Sequence, residues 1–285
     1  MNTPVRTFRS YWQVAPLSLV LLCFLVFPIL TIVIVSFWDF NAYQLLPDFT
    51  FDNYAFSLTS DVTLKAYLNT FFYAIATWLI TLILGFMVAY YLAFHIESNL
   101  MRNLLFILCT IPFLTSNIIR MISWIPLLGR NGLVNGLLTG SGMVDQPVEW
   151  LLYSDFSVIL AFVHLYTLFM VVPIFNAMTR IDKKLIEAAM DAGASTLQTI
   201  FLVIVPLCRS GIVIGTVFIL TLVMGDFITV RLMSGGLSAS VGVLIYNEIS
   251  LLQYPAAAAD AVILLITILI IFSILFRFVD IKKEL

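Results

Sequence analysis

The sequence specifies an all-α membrane protein of six transmembrane helices, N-in and C-in, with a cytoplasmic helix–turn–helix between the fourth and fifth spans. Three observations predict that class. Of 285 residues, 62% are hydrophobic and only 11% are charged, where a soluble domain carries roughly 25% charged residues. Mean hydropathy is +1.08, and the apolar residues fall in runs long enough to cross about 30 Å of hydrocarbon, which takes roughly 20 residues of helix. Lys and Arg are distributed unevenly between the two sides that those runs define.

The runs follow in order. The first, 14–38, holds no charge before Asp39, and Arg6 and Arg9 precede it. That start imitates a secretory leader, but the run is too long for a leader's apolar core and no small-x-small cleavage pattern follows. It reads as a retained span. The second run, 66–94, is uncharged, and the third, 103–129, contains only Arg120. His164 interrupts the fourth, 156–179. The fifth, 210–232, holds Asp226 and, at its outer end, Arg231. The sixth, 258–279, is apolar from 261 to 276. No repeat, linker or low-complexity stretch divides the chain, so 1–285 reads as one transmembrane domain.

Orientation follows from the positive-inside rule. With the N-terminus inside, the inner side holds Arg6, Arg9, Arg102, Arg180, Lys183, Lys184, Arg209, Arg277, Lys282 and Lys283. The outer side holds Lys65, Arg130 and Arg231, with Arg120 inside a span: 10 against 3. Pro16, Pro28, Pro112, Pro126 and Pro173, with Gly85, Gly215 and Gly225, interrupt the spans. Each Pro removes a backbone hydrogen bond. These positions are either ordinary irregularities of a bundle or hinges in a protein that changes shape.

Composition also excludes functions. No basic stripe exists to neutralise phosphates, so nucleic acid is not a partner. Cys23, Cys109 and Cys208 sit in or beside apolar runs without C-x-x-C spacing, which argues for neither a disulfide framework nor a metal site. His95 and His164 lie on separate spans without ligand-spaced companions, so a membrane enzyme is poorly supported. A secondary transporter would predict an inverted repeat, broken helices at the midplane or several coupling charges, and six runs show none of these.

The inner loop 180–209 carries more information than a connector. Asp182 suits the N-cap of a helix through Leu185, Glu187, Ala188, Ala189 and Ala192. Gly193 supplies the left-handed position that ends it. Ser195 and Gln198 form an S-x-x-Q capping box that opens a second helix, which Pro206 bends or ends. The alanines leave one face of the first helix without bulk, so it can seat closely in a partner's groove.

Glu187-Ala188-Ala189, three residues, Gly193, nine residues and then Val203-Ile204-Val205-Pro206 resembles the E-A-A-x-x-x-G…I-x-L-P pattern of ABC importer permeases, with Val for Ile and for Leu. The resemblance implies that 180–206 is a coupling loop whose Glu187, Ala188, Ala189, Gly193 and Pro206 form the helix fitting a cleft on a nucleotide-binding subunit. It implies two cytoplasmic ATPase copies that hold ATP and Mg, no cofactor and no catalytic residue on this chain, and location in the bacterial cytoplasmic (inner) membrane. It also implies a second permease subunit, either a related chain or another copy, since six spans do not enclose a path, and a periplasmic solute-binding protein. Consistently, the sequence has no G-x-x-x-x-G-K-[ST] phosphate loop.

The stretches 112–120, 128–135, 225–229 and 235–236 are further similar to the spermidine/putrescine permeases and their opine and phosphonate relatives. That subgroup implies a polyamine substrate, with an opine, phosphonate or amino-acid-like solute as the alternative. Arg120 and Asp226 each lie 17 residues into a span, roughly 25 Å along a straight helix. They form a structural ion pair, or Arg120 snorkels outward, or Asp226 faces the path and meets a substrate ammonium. Trp124, Tyr166 and Phe227 are candidate cation–π faces beside it. Asp39, Asp48, Asp52, Asp61, Asp145, Glu149, Asp155, Asp226, Glu248 and Asp260 make ten outer acids against three bases, a field that draws cations. His164 reads as a hydrogen-bonded core residue.

Overall fold

The computed structural model describes residues 15–41 and 44–278. The expected start of the first span at Val14, the end of the sixth at Val279, and the basic residues Arg6, Arg9, Lys282 and Lys283 lie outside the described residues. The chain is mostly helical, with four helices long and apolar enough to cross a membrane, or up to six if each of two bent pairs is one span. Contacts divide it into two compact units, one within 15–64 and 244–266, the other within 65–243 and 267–278.

The first unit begins with α1, Ala15–Val35, which contains a π turn at Leu22–Val26 just before Pro28. A proline ring crowds the carbonyl four residues back and offers it no N–H, and a wider turn relieves that crowding. A short antiparallel pair follows, β1 Asp39–Phe40 and β2 Leu45–Leu46, and then α2, Asp52–Thr59. Asn53 closes the end of α1 by donating to the carbonyls of Ser36 and Trp38 at 3.1 and 2.8 Å, which a helix C-terminus otherwise leaves open. Phe37 stacks on Phe49 at 4.9 Å and meets Phe51 edge-on at 5.4 Å.

The second unit holds most of α3, Asp61–Tyr90, prolonged by a π turn Tyr91–His95. The run 103–129 then departs from the single helix its apolarity suggests. α4, Asn99–Thr110, runs into a 3-10 turn Ile111–Leu114 and stops. The chain resumes as α5 Asn117–Ile122, α6 Trp124–Leu128 and α7 Leu133–Gly140, and the two halves meet at 90°. Pro112 breaks the ladder, and the Thr115 hydroxyl donates to the Pro112 carbonyl at 2.7 Å, satisfying inside the chain what hydrocarbon cannot. The straight-helix height assigned to Arg120 therefore does not hold.

α8, Asp155–Met178, starts at a capping box in which Ser154 and Ser157 serve each other. Beyond it come α9 Lys183–Asp191, α10 Thr196–Leu207 and α11 Arg209–Gly225. The run 210–232 is also two helices, because α11 ends at Asp226 and α12, Ile228–Met233, follows. α13 is Val241–Ser250 and α14 is Tyr254–Leu275.

The tightest packing in the second unit joins α8 to α11. A Cβ on Gly211 would overlap the Pro173 carbonyl oxygen, and one on Gly215 would lie 2.5 Å from Met170 Sδ. Gly85 of α3 takes the other side of Met170, where a Cβ would lie 2.8 Å from Met170 Cγ. The fully buried Met170 is thus a knob held between two glycine hollows. Trp78 of α3 donates to Thr216 of α11 at 2.9 Å, adding the polar tie that membrane helices use where apolar burial offers little drive.

Two substitutions separate close approach from helix propensity. Gly211→Ala is expected to destabilise the folded chain by about 1–3 kcal/mol through overpacking. Gly136→Ala in α7, where a Cβ meets nothing within 4 Å, is expected to be neutral or stabilising by up to about 1 kcal/mol. Thermal melting of both variants in detergent checks the pair.

Candidate functional site

The segment between α8 and α11 folds as its capping residues dictate. Asp182 accepts a hydrogen bond from the Lys184 amide at 3.0 Å and opens α9. Gly193 has φ +88, and the Ala194 amide donates to the Ala189 carbonyl at 3.0 Å. The Ser195 amide donates to Gln198 Oε1 at 2.8 Å and the Gln198 amide to Ser195 Oγ at 3.3 Å, so both halves of the capping box form. A π turn, Ile200–Ile204, precedes Pro206, repeating the arrangement before Pro28. The helix stops at Cys208, where α10 and α11 meet at 72°.

Glu187, Ala188, Gly193 and Pro206 are exposed and Ala189 is half-buried. Leu185 and Met190 of α9 and Leu197 of α10 are also exposed, so the segment presents an apolar, shallow surface outward. Its other side borders a cavity of about 690 Å³ lined by Asp182 and Leu185 together with Pro173, Arg180 and Gly211. The helix–turn–helix thus sits directly under the α8–α11 contact.

At the opposite end of α11, Asp226 terminates the helix. Its Oδ1 accepts from the Thr229 amide at 2.8 Å, and its Oδ2 accepts from the hydroxyls of Thr229 and Tyr166, both at 2.7 Å. A carboxylate offers about four lone-pair positions; three are filled, and the open one is on Oδ1. Asp226 is half-buried while Tyr166 is buried. Asp226, Tyr166 and Phe227 line a cavity of about 350 Å³ with Asn117 and Met121.

Arg120 and Trp124 stand apart from that cavity. Arg120 is buried, donates to Asn117 Oδ1 and has no hydrogen-bond partner for its Nε. It lines a smaller cavity of about 190 Å³ with Pro112 and His164. Trp124 Nε1 donates to His164 Nδ1 at 3.0 Å, which leaves the imidazole proton on Nε2. Arg120 and Asp226 do not form the ion pair that their spacing suggested; among the described residues the ion pair is Arg130 with Glu149, at 3.5 Å. Asn117 and Thr229 were not singled out from the sequence. Both lie three residues from the charge they serve, the spacing of a local cap, which is the signal that marks them.

Comparison with known proteins decides the family. Residues 81–283 match the family described as binding-protein-dependent transport system inner membrane component. The chain belongs to this family. It is a permease component of an ABC importer, an inner-membrane, multi-pass subunit and not an enzyme, with ATP hydrolysis on a separate subunit. The family implies an ATPase, a second permease and a binding protein as its partners.

Among its relatives, the permease is 32% identical to the spermidine/putrescine transport system permease protein PotB of Salmonella typhimurium (strain SL1344), over 80% of this chain and 79% of the relative. PotB of Escherichia coli (strain K12) is also 32% identical, over 76% of this chain and 78% of the relative. Its fold resembles the crystal structure of a bacterial alginate ABC transporter in complex with alginate pentasaccharide-bound periplasmic protein. There the TM-score is 0.74 at 19% identity, over 95% of this chain and 94% of that one.

The geometry around Asp226 yields a stability test. Tyr166→Phe removes one of three donors from a half-buried carboxylate, and Thr229→Val removes another. Each is expected to cost about 1–3 kcal/mol, read as a lowered melting temperature. A double variant is expected to lose less or more than the sum, because both hydroxyls share Oδ2.

Proposed function

We propose that this permease carries polyamines, spermidine- or putrescine-like cations, through a path that it half encloses, driven by ATPase subunits that grip α9. The observation that carries the substrate reading is the carboxylate of Asp226, open at one Oδ1 position and facing a cavity with the Phe227 ring and the Tyr166 hydroxyl. A primary ammonium adds to that open position and to the adjacent aromatic face. Similarity to two PotB proteins supports the same substrate class.

In this reading the chain crosses the membrane six times, N-in and C-in, with each bent pair counted as one span. The bend of α4 against α5 then lies within span three, and the bend of α10 against α11 lies where the chain passes from the cytoplasmic segment into span five. Breaks of this kind are tolerated where backbone lines a cavity or is satisfied by neighbours. The segment 180–206 is the cytoplasmic coupling loop. Its Glu187, Ala188, Ala189 and Gly193 seat in a cleft of one of two ATPase copies, which bind ATP and Mg. A homologous chain or a second copy of this one completes the path, and a periplasmic binding protein delivers the solute.

The support for coupling is mechanical. α8 and α11 emerge from the two ends of the segment and are locked by Gly211, Gly215, Pro173 and Met170. α8 also carries Tyr166, and α11 ends on Asp226. A pull on the segment therefore moves both halves of the Tyr166–Asp226 contact together, over the roughly 25 Å of α11.

Two substitutions test the two parts separately. Asp226→Asn is expected to lower spermidine uptake about tenfold or more while the assembled complex still purifies; unchanged uptake would remove Asp226 from the path. Gly193→Val places a β-branched residue at φ +88, which such residues do not adopt without strain. It is expected to abolish ATP-driven uptake or co-purification of the ATPase with the permease still inserted, and full activity would contradict the coupling role.

A further inference from the structure

The small cavity beside Arg120 has no part in the function proposed above, and its lining is electrically one-sided. It holds about 190 Å³ between Val88 of α3, Cys109 of α4, Pro112 in the turn that follows, Arg120 of α5, and His164 and Thr167 of α8. No Asp or Glu lines it. Arg120 is 7% exposed, and a guanidinium stays charged at any ordinary pH. One terminal nitrogen donates to the neutral amide oxygen of Asn117, and the Nε–H is buried without an acceptor. Among the described residues no carboxylate forms an ion pair with it.

His164 supplies a second donor. An indole N–H can only donate, so the 3.0 Å bond from Trp124 makes His164 Nδ1 the acceptor and leaves the proton on Nε2. The Thr167 hydroxyl is already donated to the Val163 carbonyl. The cavity therefore offers two N–H donors, one of them on a cation, and no acid. Buried charges in proteins are paired, and an unpaired one is most costly beside apolar helices; α8 is long and apolar enough to cross a membrane. Water in the cavity would satisfy the Nε–H but leave the charge uncompensated, whereas an anion does both. The same charge repels a polyamine, so this is not a second position for the cation.

We propose that this cavity binds one small anion, a carboxylate or phosphate whose oxygens accept from Arg120 Nε–H and His164 Nε2–H. A bond from a guanidinium to an anionic oxygen is shorter and stronger than one between neutral groups, and it replaces the missing counter-charge. Two sources present this chemistry. One is a free anion. The other is the phosphate of a lipid headgroup, entering past Pro112 and Phe113, which both line the cavity and are exposed. The site stands whatever solute meets Asp226, because neither donor lines the Asp226 cavity.

The test uses the assembled transporter with formate as the probe, titrated against the bulkier gluconate at constant ionic strength and without any transported solute. In detergent free of lipid, formate is expected to raise the permease melting temperature saturably, by about 3 °C at about ten times its half-saturating concentration. Radiolabelled formate is expected to bind at about one equivalent per copy of this chain. Arg120→Gln is expected to lose both effects, and Arg120→Lys, which keeps the charge without the Nε–H, to bind about tenfold more weakly. If Arg120→Gln does not assemble, His164→Phe removes the second donor and is expected to weaken formate about tenfold. Nanodiscs of phosphatidylglycerol separate the sources: suppressed formate binding there assigns the site to lipid phosphate, and undiminished binding assigns it to a free anion. Absence of saturable formate binding in detergent, or binding unchanged by Arg120→Gln or His164→Phe, overturns the proposal and leaves the cavity to water.

Discussion

The close approach of α8 and α11 is the constraint on which the rest of the second unit depends. Helices in lipid gain little from hiding apolar side chains, because the solvent is equally apolar. What holds them is backbone proximity, and here it comes from Gly211 beneath the Pro173 carbonyl and Gly215 against Met170. Gly85 admits the same methionine from α3, so three helices share one knob. Because the pair is joined at one end by the 180–208 segment and meets at the other through Tyr166 and Asp226, its rigidity links the two sites.

At breaks in the apolar runs, freed backbone groups find local partners. Thr115 returns its hydroxyl to Pro112, and Asp226 accepts from the Thr229 amide in the first turn of the next helix. π turns widen the helix ahead of Pro28 and Pro206. Polar residues in these spans therefore serve the backbone first. Asp226 shows the consequence, since three of its acceptor positions are committed within the chain and only the remainder can face a ligand. That arrangement also orients the carboxylate, which a freely rotating side chain would not be.

Much of this was legible in the residues. Span positions follow from apolar runs because hydrocarbon thickness sets their length, and the α9–α10 fold follows from Asp182, Gly193, Ser195 and Gln198 because capping acts over three residues. The straight-helix placement of Arg120 failed because a run free of charge was read as one helix, although Pro112 and the polar stretch Thr115-Ser116-Asn117 mark the bend. The Tyr166–Asp226 contact spans 60 residues of sequence, and no periodicity reports a partner so distant. Glu248 and Asp260 were visible only as two of ten outer acids; that both are buried depends on tertiary packing, which local pattern does not encode. The division into two units is invisible for the same reason.

In the proposed mechanism, 180–206 is the surface through which ATP hydrolysis reaches the spans. Its most direct test is a photo-cross-linking residue placed at Met190, which is 55% exposed on α9, in the assembled transporter. A cross-link to the ATPase subunit whose yield changes when ATP is added, with none from the same probe at Leu133 on α7, is the predicted result. Cross-linking to lipid alone at Met190, in a transporter that still imports its substrate, would contradict the account.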